Sequence, residues 1–366
     1  MGRQFLYPKV TEPQQRDRQI KIHEGQTIPH ISVIIVNYNA GDWLARCVTS
    51  VAAQSFTDFE CFIVDNGSTD GSLDGLPKLD ARFKVMGLGE NTGFARGNNI
   101  AAKDARGEWI ALLNPDAFAR KDWLEKLLHA TTLTPNVTMV GSTQYMALEN
   151  NIYDGVGDFY HVSGVAWRGK FGHSTQGHTP ETREAFGPCA AAALYHRKTF
   201  MRLGGFDERF FCYHEDVDLA FRMRLAGGIC VQSSDAVVDH VSSGISGRAS
   251  DFAVYHGTRN RIWTFVKSMP LLGLILLLPA HILLNILFLL WSLFRKGRAK
   301  PTWRGVFHGL RGVPSMIKSR KSIERQVGFF GLLRVMSVNP MKFLTRRDAS
   351  VPINLNKKHA HKQKLK

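Results

Sequence analysis

Acidic side chains all but run out in the last third of the chain, where residues 259 to 366 hold 22 Lys and Arg against only Glu324 and Asp348, a net of +20. The first 258 residues therefore contribute −4 to the overall +16. Positive charge this concentrated suits nucleic acid or an anionic membrane. Cysteine is scarce too. Cys47, Cys61, Cys189, Cys212 and Cys230 have neither metal-type spacing nor an even framework, which argues against a disulfide scaffold and predicts free thiols in a reducing compartment. Residues 1 to 30 lack the apolar stretch of a cleaved secretion signal, so the domain that follows is expected in the cytoplasm. No internal repeat is present. What is plentiful is apolar residue: 44% of 366 positions, enough for one large or two ordinary domains and too much for a disordered chain.

From residue 31 onward, short buried strands alternate with helical patterns. Ile31 to Val36 is a β-branched run ending in Asn37-Tyr38-Asn39, and Leu44, Cys47, Val48 and Val51 then repeat with helical period. Cys61 to Val64 runs into Asp65-Asn66-Gly67-Ser68-Thr69-Asp70-Gly71, a second strand ending in a polar, glycine-bearing loop. A weaker strand at Phe83 to Val85 precedes Glu90-Asn91-Thr92-Gly93-Phe94-Ala95-Arg96-Gly97-Asn98-Asn99, which opens a helix through Ala102. Trp109 to Leu113 leads to Asn114-Pro115-Asp116, and a helix is predicted over Trp123 to His129. Further on, Val137 to Ser142 and Ala190 to Leu194 are predicted strands, Arg197 to Leu203 a short helix, and Ala236 to His240 a last short strand with a small-residue loop, Ser242 to Ser246, behind it. Residues 167 to 180 form a Gly- and His-rich loop. Repeated β-α units predict a mostly parallel sheet with its site at the carboxyl edge of the strands.

The chain is organised around Gly204-Gly205-Phe206-Asp207-Glu208-Arg209-Phe210-Phe211-Cys212-Tyr213-His214-Glu215-Asp216-Val217-Asp218, which crowds five carboxylates together. Val217, Ala220, Phe221 and Leu225 at helical spacing predict a helix from about Glu215 that Gly227-Gly228 stops. Glu215 and Asp216 then share its first turn. Their mutual repulsion raises one of the two toward the range of a general base, although a pair at this position also serves as a cap. Asp116, at a strand end, offers an anionic oxygen that Mg²⁺ or Mn²⁺ accepts together with substrate phosphates; Asn114 adds an amide oxygen and His240 a nitrogen suited to Mn²⁺. Asp65 can accept hydrogen bonds from a base or ribose, and Gly93 to Gly97 lets backbone or Arg96 approach phosphate.

These motifs, in order, closely resemble family 2 inverting glycosyltransferases of the GT-A fold, especially the rhamnosyltransferase-like branch of bacterial surface polysaccharide synthesis. The resemblance spans residues 31 to 245 and rests on five motifs. It implies a GT-A catalytic domain over residues 31–250, preceded by an extension (1–30) and followed by a helical, basic, membrane-associating region (251–366). It also implies donor binding by Asn37, Tyr38, Asn39, Asp65, Gly93, Arg96, Asn98 and Asn114, a divalent ion (Mg²⁺ or Mn²⁺) on Asp116 and His240, and catalysis at Asp216 with Glu215 beside it. The first acid of the usual Asp-x-Asp motif is Asn114 here, which departs from the pattern. The processive signature Gln-x-x-Arg-Trp is missing, since Arg259-Asn260-Arg261-Ile262-Trp263 does not fit it, so one or a few sugars are expected per acceptor. The implied partners are a nucleoside-diphosphate sugar and a glycan or lipid-linked acceptor. A catalytically silent nucleotide-sugar-binding protein of the same fold is the alternative; intact Asp116, Asp216 and His240 count against it. A glycosidase is disfavoured because adjacent Glu215 and Asp216 cannot face each other across a bond.

Pro270 to Phe294 is apolar over roughly a bilayer's thickness, yet Pro279, His281 and Asn285 lie in its middle. A single span would carry the basic tail outward, against the positive-inside tendency. The expectation is an interfacial or re-entrant helical pair, bent at Pro279, on an anionic surface at the cytoplasmic face of the inner membrane. This apolar run directs the basic tail to a membrane and not to nucleic acid.

Overall fold

The computed structural model describes residues 28–177, 179–242 and 250–353. Most of the N-terminal extension, all but the first residue of the Ser242 to Ser246 loop, and the last thirteen residues lie outside it. The strands are β1 (Ile31–Asn37), β2 (Phe59–Asp65), β3 (Phe83–Gly87), β4 (Trp109–Leu113), β5 (Ala117–Ala119), β6 (Val137–Met146), β7 (Tyr153–Gly155), β8 (Asp158–Tyr160), β9 (Ala166–Arg168), β10 (Arg183–Glu184), β11 (Ala192–His196) and β12 (Ile229–His240). The helices are α1 (Asp42–Ala52), α2 (Phe94–Asp104), α3 (Trp123–Thr131), α4 (Arg197–Arg202), α5 (Glu215–Leu225), α6 (Asp251–Ser268), α7 (Leu271–Leu293), α8 (Ala299–Ser319), α9 (Phe329–Leu333) and α10 (Pro340–Leu344).

Ten strands form one sheet in the order β10-β12-β6-β11-β4-β1-β2-β3, with β5 on β12 and β7 on β6. The sheet is mixed, which corrects the expectation of a mostly parallel one. β1 is parallel to β2 and β4, β2 to β3, and β12 to β6, but β11 lies antiparallel between β4 and β6. Its residues start at the site edge, after Cys189 to Ala191, and so must run back through the sheet. Two reversals cancel, and the carboxyl ends of β1, β2, β4, β6 and β12 still share one edge.

Side chains of β1 alternate between two apolar layers, which is why its sequence is a continuous apolar run. Ile31, Val33 and Ile35 pack with Leu44, Val48, Trp123 and Leu127 from α1 and α3. Ile34 and Val36 pack in the larger cluster that contains Phe206, Val217, Phe221 and Phe265. That larger cluster also takes in Ile323, Phe329, Leu332, Val335 and Met336, so the chain returns to the sheet after α8. A bridge between Glu184 and Val351 continues the return.

Pro270 to Phe294 does not bend into a helical pair. α7 is one continuous helix through Pro279. Its buried positions are Gly273, His281, Asn285 and Ser292, the small and polar ones. His281 Nδ1 lies 2.9 Å from the Ser163 carbonyl and its ring stacks on Phe265 at 4.0 Å, while Arg261 donates to Asn285 Oδ1 at 2.8 Å. The polar residues in the middle of the run therefore face the protein, Leu274 and Leu277 pack against the main core, and most other leucines and isoleucines face out.

Candidate active site

Two loops meet first at the end of β1 and β2. Asn37 Nδ2 is within 3.1 Å of Asp65 Oδ1 and 2.9 Å of the hydroxyls of Ser68 and Ser72, and the Thr69 amide donates to Asn39 Oδ1 at 2.8 Å. Asn66 ties on the next loop, donating to Asn91 Oδ1 and accepting the Thr92 amide. Gly67 has a positive φ, and a Cβ on it would strike the Glu90 backbone, so only glycine lets these loops close. The structure thus brings Asn37, Asn39 and Asp65 together, with Tyr38 exposed beside them. Gly93 starts α2 against Phe211. Arg96 instead stands 3.9 Å from Glu208, and buried Asn98 donates to the Phe94 carbonyl in its own helix. It is Asn99, bonded to both backbone polar groups of Phe206, that fixes the Gly-Gly-Phe-Asp-Glu stretch.

The second part follows from the antiparallel pairing of β5 with β12, whose register sets Ala117 opposite His240. Asp116, one residue earlier, is buried with Oδ1 3.1 Å from His240 Nε2, and Asn114 Nδ2 lies 3.4 Å from the same nitrogen. His240 Nδ1 lies 2.8 Å from Asp154 Oδ2. Burial alone would discourage a charged imidazole, but Asp116 and Asp154 outweigh it and hold its pKa at about 9. Two oxygen or nitrogen ligands at adjacent corners of an octahedral ion, each about 2.1 Å away, stand about 3 Å apart. Asp116 Oδ1 and His240 Nε2 have that spacing, so this pair fits a divalent ion.

The third part is the start of α5. Asp216 is half-buried and accepts from the amides of Val217 at 2.8 Å and Ala190 at 3.3 Å. Its carboxylate, that of Asp158 and the Cys189 thiol lie within 4.8 Å of one another. Glu215, in contrast, is 4% exposed and its Oε2 has no partner. Burial, then the neighbouring Asp216, push Glu215 well above the usual carboxylate range; burial also raises Asp216, opposed by its amide donors and Arg168. Of the adjacent pair, Asp216 is the less buried.

The turn into α5 is strained. Phe211, Tyr213 and His214 all have φ near +68°, and none is glycine. Buried Asn260 of α6 holds it, with Nδ2 at 3.0, 3.0 and 2.6 Å from the carbonyls of Phe210, Cys212 and Tyr213. Lys267 bonds Asp207 at 2.7 Å and Asp218 at 2.8 Å, and Arg222 bonds Asp218 at 2.8 Å.

Asp154, Asp158 and Arg168 went unnoticed in the sequence. Their one signal there is a pair of acids flanking Gly155-Val156-Gly157 in an otherwise apolar stretch.

Residues 32–204 match glycosyl transferase family 2. Over that stretch the chain carries a family 2 glycosyltransferase domain. It is 28% identical over 250 residues to the N-acetylglucosaminyl-diphospho-decaprenol L-rhamnosyltransferase of Mycobacterium tuberculosis, covering 62% of this chain and 81% of that one. Among solved structures, residues 1–349 of S. aureus TarS align with a TM-score of 0.53 at 17% identity, over 79% of this chain and 82% of that one. GalNAc-T7 with UDP, GalNAc and Mn²⁺ aligns with a TM-score of 0.51 at 16% identity, over 66% of this chain and 48% of that one. Both likenesses establish the GT-A fold alone; the family match and the mycobacterial relative support a nucleotide-sugar glycosyltransferase.

Proposed function

We propose that this glycosyltransferase moves a deoxyhexose or hexose, with inversion, from a nucleoside-diphosphate sugar to a hydroxyl of a lipid-linked glycan, one or a few sugars at a time, at the cytoplasmic face of the membrane. The observation that carries the reading is the common rim: Asp65, the Asp116–His240 pair and Asp216 all stand at the carboxyl edge of one sheet. A donor gripped at its nucleoside by the Asn37–Asp65 loops extends toward Asp116 and offers its anomeric carbon to the Asp216 side. Tyr38, Asn39, Gly93, Arg96, Asn98 and Asn114 belong to the same donor-binding motifs.

Asp116 and His240 would hold Mg²⁺ or Mn²⁺, which when bound neutralises charge gathering on the departing diphosphate. Asp216 removes the acceptor proton as the acceptor oxygen bonds to the anomeric carbon and the bond to the diphosphate breaks; the electron pair leaves with the nucleoside diphosphate. An elevated proton affinity suits a carboxylate to that task. Glu215 stays buried beside it, out of reach of the acceptor hydroxyl, so it does not compete for the proton. The name of the mycobacterial relative supports a lipid diphosphate as the acceptor's anchor.

Membrane contact is supported by α7 and its flanks. Leu271, Ile275, Leu276, Leu283, Leu287 and Phe294 are exposed, and Arg295, Lys296, Arg298 and Lys300 follow at once. A helix docked through its middle cannot cross a bilayer without drawing Arg261 and the Ser163 carbonyl into hydrocarbon, so α7 lies along the interface.

The test is a panel of nucleoside-diphosphate sugars with Mn²⁺ or Mg²⁺, read by release of nucleoside diphosphate, followed by transfer to a short-chain lipid diphosphate carrying N-acetylglucosamine and determination of the anomeric configuration. Silence toward every donor with both ions, or retained configuration, would overturn the proposal.

A further inference from the structure

We propose that Asp154 and Arg168 form a positioning pair between the cation side of the site and the base side, with Asp154 orienting the His240 ring and Arg168 holding Asp154. This inference rests on the reading of Asp116 and His240 as cation ligands. An imidazole offers a cation only a nitrogen that carries no proton, and the group bonded to the other nitrogen decides which one that is. Here Asp154 Oδ2 sits 2.8 Å from Nδ1, so Nδ1 keeps its proton and donates it. Nε2, 3.1 Å from Asp116 Oδ1, is then the nitrogen that gives up its proton and turns its lone pair to a cation.

Asp154 is fully buried, and a carboxylate in that position needs a cationic partner. Arg168 supplies it, with Nη1 at 2.5 Å from the same Oδ2 that faces His240. The route for its side chain is built into the backbone. β7 carries Gly155, where a Cβ would overlap Cγ and Cδ of Arg168, so the arm crosses the strand only over a glycine. Arg168 is also the strand partner of Asp158, whose carboxylate clusters with Asp216. Its guanidinium therefore acts electrostatically on Asp154, Asp158 and Asp216 together. An ordinary surface ion pair would have neither the glycine passage nor a shared oxygen on a histidine beside Asp116.

The test uses the full chain and Mn²⁺ alone, with affinity measured by electron paramagnetic resonance on the wild type, Asp154→Asn, His240→Ala and the double variant. Asp154→Asn should bind Mn²⁺ about 10- to 100-fold more weakly, the range seen when outer partners of ligands are removed. The double variant should bind no more weakly than His240→Ala, because Asp154 acts through that ring. Arg168→Gln should lose less, and combined with Asp154→Asn should add nothing further. Unchanged affinity in Asp154→Asn, or additive losses with His240→Ala, would overturn the inference alone. A wild type that binds no Mn²⁺ would instead overturn the cation reading, and this one with it. Should Asp154→Asn fail to fold, ¹⁵N spectra of histidine-labelled wild type with Mg²⁺ decide the matter: a proton on Nδ1 of His240 supports the pair, and a proton on Nε2 overturns it.

Discussion

Asn260 of α6 donates its side-chain amide to the Tyr213 carbonyl at 2.6 Å, joining a helix that lies beyond residues 32–204 to the turn that delivers Asp216. The same Nδ2 reaches two more carbonyls of that turn, so a single amide stabilises three left-handed residues that would otherwise relax.

Asn260→Ala should therefore cost about 1–3 kcal/mol of stability, the range for buried polar groups left without a partner, and lower turnover further than that loss alone explains. Asn260→Asp should be worse, since a carboxylate would face carbonyl oxygens. Urea denaturation together with donor turnover checks both.

Asp216→Asn should lose about 10²- to 10⁴-fold in transfer while keeping donor affinity. The same change should raise stability, on the order of 1 kcal/mol. The sign follows from the raised proton affinity of Asp216 in the fold. Stabilisation from such a group is complete below its unfolded pKa and is lost as pH rises through the folded one, so at neutral pH the charged carboxylate is a burden. Thermal midpoints of the two proteins at pH 7 decide the point; a lower midpoint in the variant would contradict it.

His240 gives a second pH dependence. With its pKa held at about 9 in the absence of a metal, cation binding at lower pH must displace a proton. Mn²⁺ affinity should climb about tenfold per pH unit up to about pH 9 and then level off. Calorimetry across that range in buffers of different ionisation enthalpy would show one proton released per ion at neutral pH.

Leu283→Glu combined with Leu287→Glu should lower partition onto anionic vesicles by more than about tenfold, because each apolar side chain buried in lipid is worth up to about 1.5–3 kcal/mol. The thermal midpoint should hardly move, as both side chains are more than half exposed. Vesicle sedimentation measures the first effect and a melt the second.

Asp65, Asp116 and His240 were legible in the sequence because each ends or follows a recognisable apolar run, and the fold's own logic sends such ends to one edge; Asp216 was legible from the helical period that follows it. Asp154 and Arg168 were not. They sit on three-residue strands too short for any period to emerge, and their meaning comes from a histidine 86 residues further along the chain. Asn260 and Lys267 escaped for another reason: α6 buries polar residues all round, so its amphipathic pattern vanishes. β12 is longer than its predicted five residues because Gln232, Ser233 and Ser234 interrupt the apolar pattern, yet strand pairing holds Gln232 and Ser233 and Thr182 bonds Ser234. Pro279 suggested a bend that α7 does not make.

α7 is fastened to the body from Gly273, against Phe329 near one end, to His281 and Asn285 in the middle. Resting on lipid, such a helix works as an outrigger: it sets how high the cleft rides above the phosphates and at what tilt. An acceptor hydroxyl would then be chosen by its distance along the glycan from the lipid, and a sugar too near or too far from the anchor would miss Asp216 however well it fitted the cleft.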